Sequence, residues 1–235
     1  MVTLLEIKTQ SRQLSDMVDS PFITDPELTN YVNNSLKELY DLMVATYVDY
    51  YLAEPIVATL TSDAYYTLPS DFYKLRGVDR SFDGSGSDSS WYTLSNFNFQ
   101  DRNKFNAVNM FGRTVPYLNY RPMGDKIKFI PPSSAENSLI RIWYIPSMTT
   151  LSSDSDEFND VNGWAQYVIV DCAIKMKQKQ NEDVSQLNGQ KAALMDRIKA
   201  MAANRDAGSP ERITDARGSG NILGWQGNPG SMGGY

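Results

Sequence analysis

The strongest helix pattern in the chain lies in residues 24–43, TDPELTNYVNNSLKELYDLM. Thr24 can cap the helix, Glu27 can complete a capping box three residues later, and Pro26 is tolerated in the first turn. Apolar residues then recur at the three- and four-residue spacing of a helix with one buried face. They are Leu28, Val32, Leu36, Leu39 and Met43. We expect this helix to continue to about Tyr51 and to end before Pro55.

A shorter helical pattern precedes this one. Leu4, Ile7, Leu14 and Val18 suit one helical face, and Pro21 with Phe22 ends the segment. Because the two helices follow each other closely, we expect them to pack as an antiparallel pair. Residues 1–54 are therefore predicted to form an N-terminal helical hairpin.

Residues 55–146 have the character of a β domain. Short segments rich in aromatic and β-branched residues alternate with turn residues, as in antiparallel sheets. The predicted strands are 55–61, 65–68, 73–78, 117–121, 126–131 and 139–145. We expect a turn at 133–137 to join the last two strands as a hairpin, with Ile127 and Phe129 on one face. Residues 83–90, DGSGSDSS, are predicted to be a mobile tip loop that cannot pack, and residues 94–105 to contain one or two helical turns.

Helix returns in residues 147–205. The apolar side of one predicted helix consists of Trp164, Val168, Ile169, Cys172, Ala173 and Met176. The apolar side of the next consists of Val184, Leu187, Leu194, Ile198 and Met201, and Lys191 interrupts it. The predicted fold class is therefore α+β. A helical bundle forms from the N- and C-terminal helices, with an inserted antiparallel β domain and an extended Gly-rich tail at 206–235.

The composition excludes several kinds of active site. The chain has no histidine and one cysteine, Cys172, so neither a Ser–His nor a Cys–His nucleophile can form within it. A common zinc site needs several such ligands as well. We expect no catalytic residue, no metal and no cofactor, although a carboxylate-based hydrolase stays open as an alternative. Cys172 is interpreted as a small buried hydrophobe; a redox role would need exposure and a nearby cation, for which Lys175 is the candidate.

The charge distribution argues against tight binding of nucleic acid. The net charge is −6 and the isoelectric point is about 4.8. Residues 1–69 carry three basic and ten acidic groups, whereas residues 70–145 carry ten basic and seven acidic groups. A DNA-binding domain normally has a basic stripe and a high isoelectric point. No apolar run reaches the ~20 residues that span a bilayer and no signal peptide is evident, so we expect no membrane partner and synthesis in the cytosol.

Two local features remain open to a functional interpretation. Asp154, Asp156, Glu157 and Asp160 could bind a hard cation, but Phe158 stands where an EF-hand loop needs an oxygen ligand. The favoured interpretation is a solvated loop that caps the following helix. In the tail, seven of residues 218–235 are glycine, yet large side chains are present: Ile222, Leu223, Trp225 and Tyr235. They either pack on their own domain or, as we favour, dock on a partner, with Trp225 as the hot spot.

Two stretches resemble the head-to-tail adaptor (connector) proteins of tailed bacteriophages. Residues 22–28, FITDPEL, running into residues 33–42, NNSLKELYDL, resemble their N-terminal helical hairpin. Residues 66–78, YTLPSDFYKLRGV, are similar to the strand segment that follows it. The order of the later elements also agrees, and the resemblance covers roughly residues 1–205. Its motifs are structural, without a catalytic signature.

The resemblance implies a ring, commonly of twelve copies, beneath the portal vertex of the capsid. The helices would form the core of the ring, the β region would meet the tail or nozzle protein, and the tail residues would reach the portal protein. Genome DNA would pass through the channel without sequence-specific binding. The protein would assemble in the cytoplasm of the bacterial host and reside in the virion. The alternatives are a tail-tube, nozzle or tail-terminator subunit, a virion hydrolase, or a DNA-packaging recognition protein, against which the acidic balance argues.

Overall fold

Helices from both ends of the chain contribute to one hydrophobic core. The computed structural model describes residues 1–103 and 118–203. The helices are α1 (Leu4–Leu14), α2 (Asp25–Thr46), the one-turn α3 (Pro132–Ala135), α4 (Ala165–Lys179) and α5 (Ser185–Ala203). In that part of the chain, no helix is both long enough and apolar enough to cross a membrane.

The predicted apolar stripes are largely buried. From α2, the residues Val32, Leu36, Leu39 and Met43 join the core to which α1, α4 and α5 also contribute. Two stripe positions were predicted wrongly. Val18 lies beyond the end of α1 and is 56% exposed, and Met201 near the end of α5 is 53% exposed. Val18 follows the sequence periodicity but lies outside the helix, whereas Met201 lies in the last turn of its helix.

The capping box forms at a different helix from the one predicted. Thr24 precedes α2, but its side chain makes no capping hydrogen bond. Glu27 forms an ion pair with Lys179 of α4 at 2.7 Å. The capping box belongs to α1, where Thr3 and Glu6 bind each other's backbone N–H groups. Helix α2 also ends at Thr46, earlier than expected, and a 3₁₀ turn follows at Val48–Tyr51.

In residues 1–103 and 118–203, ten strands form three sheets. Sheet one has the order β2-β9-β4-β5, sheet two has the order β3-β8-β7-β6, and β1 pairs with β10. Pairing is antiparallel except between β6 and β7, which are parallel. The strands are β1 (Val2–Thr3), β2 (Ile56–Thr59), β3 (Tyr65–Thr67), β4 (Phe72–Ser81), β5 (Trp91–Thr93), β6 (Ser95–Asn96), β7 (Asn119–Met123), β8 (Lys126–Ile130), β9 (Leu139–Pro146) and β10 (Glu157–Phe158).

Sheets one and two bury a common core. Val78 and Ile142 come from sheet one, and Ile127 and Phe129 come from sheet two, all fully buried. The chain passes from one sheet to the other at Leu94, the single residue between β5 and β6. The buried alternation of Ile127 and Phe129 confirms the pattern read from the sequence.

The predicted hairpin of the last two strands is wrong. Strand β8 belongs to sheet two and β9 to sheet one. The residues between them form α3, and Asn137 then donates its backbone N–H to the Leu60 carbonyl. Leu60 directly follows β2, and β9 pairs with that strand. Alternation indicates which face of a strand is buried, but it does not select the neighbouring strand.

The tip loop at 83–90 packs in part, against expectation. Ser90 is fully buried, and the Trp91 indole N–H donates to the Gly86 carbonyl at 3.3 Å. The mobility of the loop stays a prediction, as do the domain limits at residues 54, 146 and 205. Of the helical turns expected in 94–105, one 3₁₀ turn is present at Phe99–Asp101; residues 104 and 105 lie outside the described part.

Candidate functional site

A groove of about 690 Å³ lies beside the segment that follows β9. We call residues 146–152 the strap and the groove the strap groove. Its apolar lining comes from three parts of the chain: Tyr40 and Tyr51 from α2 and the turn after it, Met148 and Leu151 from the strap, and Phe158 from β10. A cleft of this size with an apolar lining is the usual form of a binding site for a small ligand or a short segment of chain.

Tyr40 holds the helical side of the groove in place. It is 6% exposed, and its hydroxyl donates to the backbone carbonyl of Pro146. The ring stacks on Tyr51 with 4.2 Å between centroids. Burial, with the neighbouring Tyr73 and Asp41, raises the pKa of Tyr40 to about 12. The phenol therefore stays neutral and keeps its proton for the bond to the strap.

Asn33 of α2 anchors the other end of the strap. Its amide nitrogen donates to the Leu151 carbonyl at 2.8 Å, and its amide oxygen accepts from the Leu151 N–H at 2.9 Å. The side chain thus binds the backbone as a neighbouring strand would. Thr149 and Thr150 lie between the two anchors, exposed and outside any helix or strand.

Strand β10 forms the opposite wall. Within the described ranges it pairs only with β1, through Val2↔Phe158 and Thr3↔Glu157. A strand with one partner presents unpaired backbone N–H and C=O groups along its second edge. Glu157 and Phe158 of this strand both line the strap groove.

The groove has a negative rim. Asp156 and Glu157 line it, and none of its lining residues is basic. Asp156 accepts hydrogen bonds from the backbone N–H groups of Ser152 at 2.7 Å and Ser153 at 2.8 Å. These bonds lower the pKa of Asp156 below its ordinary value, so the carboxylate is ionised at neutral pH. An occupant with a positive charge would complement this rim.

The acidic loop that contains Asp156 has the structural role that the sequence favoured. The Asp160 carboxylate accepts the Ala165 N–H at 2.7 Å and so caps the start of α4, which confirms that interpretation. Asp154 pairs with Lys8 at 2.7 Å instead of turning toward Asp156. Among residues 1–103 and 118–203, no group of three or more acidic or cysteine residues is arranged to hold a metal ion.

A second polar cluster ties the helices together around Asp171 of α4. Lys191 of α5 lies 2.5 Å and Lys175 2.6 Å from the two carboxylate oxygens, and Ser35 of α2 donates to the second oxygen at 2.6 Å. Burial by itself raises the pKa of Asp171, but the two ammonium groups and Ser35 outweigh it and lower the pKa. Lys191, which interrupts the apolar pattern of α5, is thus explained by its ion pair.

This cluster offers no usable nucleophile. Ser35 accepts a hydrogen bond from Lys175 at 2.9 Å, an arrangement found in Ser–Lys hydrolases. However, Ser35 is fully buried. Burial alone lowers the pKa of Lys175, but its bonds to Asp171 and Glu38 raise it above the ordinary value, so the amine stays charged and cannot act as a base.

Cys172, next to Asp171, is a buried thiol. Its relative exposure is 0%, and burial raises its pKa to about 12. The interpretation as a small buried hydrophobe is confirmed. The redox alternative is wrong because a reactive thiol needs exposure and a lowered pKa, and the Lys175 ammonium is engaged by Asp171 and Glu38.

The outward face of sheet one carries a third cluster. The Arg141 guanidinium lies 4.6 Å from the ring centroid of Trp91 and 5.0 Å from that of Trp143. Asp79 is 7% exposed and accepts from Arg141 at 3.0 Å and from the Trp143 indole at 2.7 Å. Tryptophan and arginine are the residue types that dominate binding energy at protein interfaces. The cation–π contacts and the Asp79 hydrogen bonds hold these side chains in one arrangement on that face.

The predicted docking residues cannot be compared with these surfaces. Ile222, Leu223, Trp225 and Tyr235 lie outside the described residues, and their role stays a prediction. The sequence reasoning missed the strap groove. One available clue was the cluster of tyrosines after the α2 stripe, since four of residues 40–51 are tyrosine. The strap gave no comparable clue, because its anchor Asn33 is 118 positions away from Leu151.

One comparison with known proteins gives a match. The family model described as "SU10 adaptor protein" matches residues 2–214. That range includes both core regions, the strap groove and the Asp171 cluster. No curated protein matches the chain.

Proposed function

Because the chain belongs to the SU10 adaptor protein family, and is thus a structural adaptor of a phage virion, we propose that it joins the portal protein to the tail or nozzle protein. The family match over residues 2–214 carries the proposal, since it covers nearly the whole chain. The resemblance of residues 22–42 and 66–78 to head-to-tail adaptors agrees with it.

In the proposed assembly, about twelve copies form a ring around a DNA channel, at the head–tail interface of the virion. The four long helices form a bundle at the core of the ring, and residues 206–235 extend to the portal. Twelve copies with a net charge of −6 carry −72 in total. A negative lumen lets DNA slide through without sticking, and this supports passage rather than sequence-specific binding. Assembly takes place in the host cytoplasm.

The role we propose is structural rather than enzymatic. The chain has no histidine, Ser35 is fully buried, and the Lys175 ammonium is ion-paired with Asp171 and Glu38. Two surfaces, the strap groove and the Trp91–Arg141–Trp143 face, are suited to protein contacts, and the Asp156 carboxylate of the groove is held by the backbone N–H groups of Ser152 and Ser153. This arrangement supports an assembly protein better than a carboxylate-based hydrolase.

The deciding experiment mixes the full chain with its co-encoded portal ring and measures the mass and the electron-microscope image of the complex. We expect a symmetric complex with added density beneath the portal. Deleting residues 218–235 should abolish this complex, because the tail supplies the proposed anchor. Trp225→Ala should weaken portal binding without abolishing it. Asn228→Ala, in the same tail, is the matched control and should leave binding unchanged.

Full-length protein that never binds the portal would contradict the proposal. Binding to isolated tail proteins instead would then identify a tail-tube, nozzle or tail-terminator subunit. Portal binding that survives the deletion would retain the adaptor role but refute the docking of Ile222, Leu223, Trp225 and Tyr235.

A further inference from the structure

The outward face of sheet two carries three positive charges. In β8, Lys126 and Lys128 alternate with the fully buried Ile127 and Phe129, so the two lysines lie on the side away from the core. The strand register places Arg121 of β7 opposite Lys128 on that same side. Among residues 1–103 and 118–203, no carboxylate forms an ion pair with any of these three cations.

This arrangement of charges is unfavourable within one copy. Arg121 and Lys128 lie directly opposite each other on neighbouring strands, where like charges destabilise a sheet. Lys128 gains partial compensation from the ring of Tyr65, whose centroid is 5.6 Å from its ammonium group. On sheet one, by contrast, the Asp79 carboxylate neutralises Arg141 at 3.0 Å. A negatively charged partner would relieve the repulsion that the fold leaves on sheet two.

The same side of sheet two also exposes apolar groups. Tyr65 is 40% exposed and lies opposite Lys128, and Met123 is 38% exposed and lies opposite Lys126. Aromatic residues, methionine and arginine are enriched in protein interfaces. We call Tyr65, Arg121, Met123, Lys126 and Lys128 the basic face. A matching partner has negative charge beside apolar contacts.

The strap groove has this complementary character. Met148 and Phe158 contribute to its apolar lining. Asp156 and Glu157 stand at its rim, and none of its described lining residues is basic. The backbone N–H groups that bind Asp156 lower its pKa, so its carboxylate is charged at neutral pH. The groove therefore matches the basic face both in charge and in apolar contacts.

We propose that the basic face of one copy docks on the strap groove of the next copy in the ring. No residue of the basic face lines the groove of its own copy, so the two surfaces are distinct. A contact between two different surfaces of the same chain is head-to-tail, and it repeats around a closed ring. Residues 218–235 take no part in this contact and remain available for the portal. The inference rests on the proposed function only in that it assumes a ring.

Cysteine cross-linking tests the contact directly. Because Cys172 is fully buried, wild-type protein supplies a background without an accessible thiol. Thr149→Cys places a thiol on the exposed strap, and Met123→Cys places one on the basic face. The two full-length variants, with different tags, are mixed, assembled with and without the portal ring, and oxidised. We expect a disulfide-linked dimer that contains one of each tag.

The matched control for Met123→Cys is Val57→Cys. Val57 is 53% exposed and lies on β2 of sheet one, outside the basic face. It should give no mixed dimer with Thr149→Cys. Equal yields from the two pairs would overturn the inference, as would the absence of the Met123→Cys dimer both with and without the portal ring.

Charge reversal provides a second readout that separates assembly from folding. Lys128→Glu replaces the repulsion from Arg121 by an attraction, so the midpoint of urea unfolding should not fall. The same substitution should weaken ring assembly, measured by sedimentation velocity, by about two- to fivefold, the size of one exposed ion pair. Glu157→Lys should weaken assembly to a similar extent. Lys37→Glu, at an exposed position of α2, is the control and should leave assembly unchanged.

Combining Lys128→Glu with Glu157→Lys exchanges the charges of the two surfaces. The double variant should therefore recover assembly, because each surface again meets its opposite charge. A double variant that assembles no better than either single variant would overturn the inference.

The outcomes separate this inference from the adaptor role. A portal complex that forms without the mixed dimer overturns the inference and leaves the adaptor role intact. A mixed dimer in a ring that does not bind the portal supports the inference and overturns the portal role. If Lys128→Glu leaves assembly unchanged but weakens the binding of DNA or of an acidic tail protein, the basic face serves that partner and the inference is overturned.

Discussion

The Asp171 cluster predicts a large and specific loss of stability in Asp171→Asn. The substitution keeps the size of the side chain and can still accept from Ser35, but it removes the charge between Lys175 and Lys191. The Asp171 side chain is 3% exposed. Its carboxylate is bonded to Lys175, Lys191 and Ser35 at the same time. The change therefore leaves two ammonium groups facing each other across a neutral amide.

The magnitude follows from the burial of the partners. Removing one member of a buried ion pair costs about 3–5 kcal/mol, because the other charge remains desolvated. Lys175 and Lys191 retain 24% and 26% of their side-chain exposure, and Glu38 still pairs with both, at 3.0 and 3.1 Å. Water and Glu38 offset part of the cost, so we expect the free energy of unfolding to fall by about 2–3 kcal/mol.

Urea unfolding followed by far-UV circular dichroism measures this loss. The matched control is Glu182→Gln, which removes the partner of Lys177 in an exposed pair and should cost no more than about 1 kcal/mol. The pKa of Asp171 is lower in the folded chain than its ordinary value. Its stabilising contribution is therefore complete above the unfolded pKa of about 4 and is lost as the pH falls through the folded pKa. The difference between wild type and Asp171→Asn should accordingly shrink below about pH 4.

Two results would refute the reasoning. A loss no larger than that of Glu182→Gln would mean that the cluster is effectively solvated. A difference between wild type and Asp171→Asn that does not change between about pH 5 and about pH 2 would mean that the ionised form of Asp171 is not what stabilises the helices.

Two further predictions concern Asn33 and Cys172. Asn33→Ala removes the hydrogen-bond partner of the buried Leu151 N–H and C=O groups, so the free energy of unfolding should fall by about 2–3 kcal/mol. Urea unfolding measures the change. Asn34→Ala, at the exposed neighbouring position, is the control and should change the free energy of unfolding little. Equal effects of the two variants would show that Asn33 does not anchor the strap. The Cys172 thiol should react with Ellman's reagent only after unfolding, because it is fully buried and its pKa is raised to about 12. Rapid reaction in native buffer at neutral pH would disprove its burial.

The local pattern of apolar residues predicted most of the elements. The stripe of α2 and the alternation of Ile127 and Phe129 in β8 are buried as expected. Both follow from the geometry of a single helix or strand, in which residue spacing alone decides which side chains share a face. The burial of Cys172 was predictable for the same reason, since Ile169 and Met176 flank it on one helical face.

The choice of partners was not predictable in this way. Glu27 fits a capping box, but in the folded chain it pairs with Lys179, 152 positions away. Lys191 interrupted an apolar pattern because its partner, Asp171, lies on another helix. A local pattern contains no information about which distant group will be within reach.

The sequence by itself determined the mixed α+β class, the approximate positions of most helices and strands, and the absence of histidine-based chemistry, since all of these depend on local spacing or composition. Only the tertiary structure decided that β8 and β9 belong to different sheets and that Asn33 fastens the strap beside Tyr40. The physical reason is that these hydrogen bonds and ion pairs join residues far apart in the sequence. Which strand edges and charged groups become neighbours is decided only when the chain folds. The strap groove is made of three such distant segments, and it therefore exists only in the folded protein.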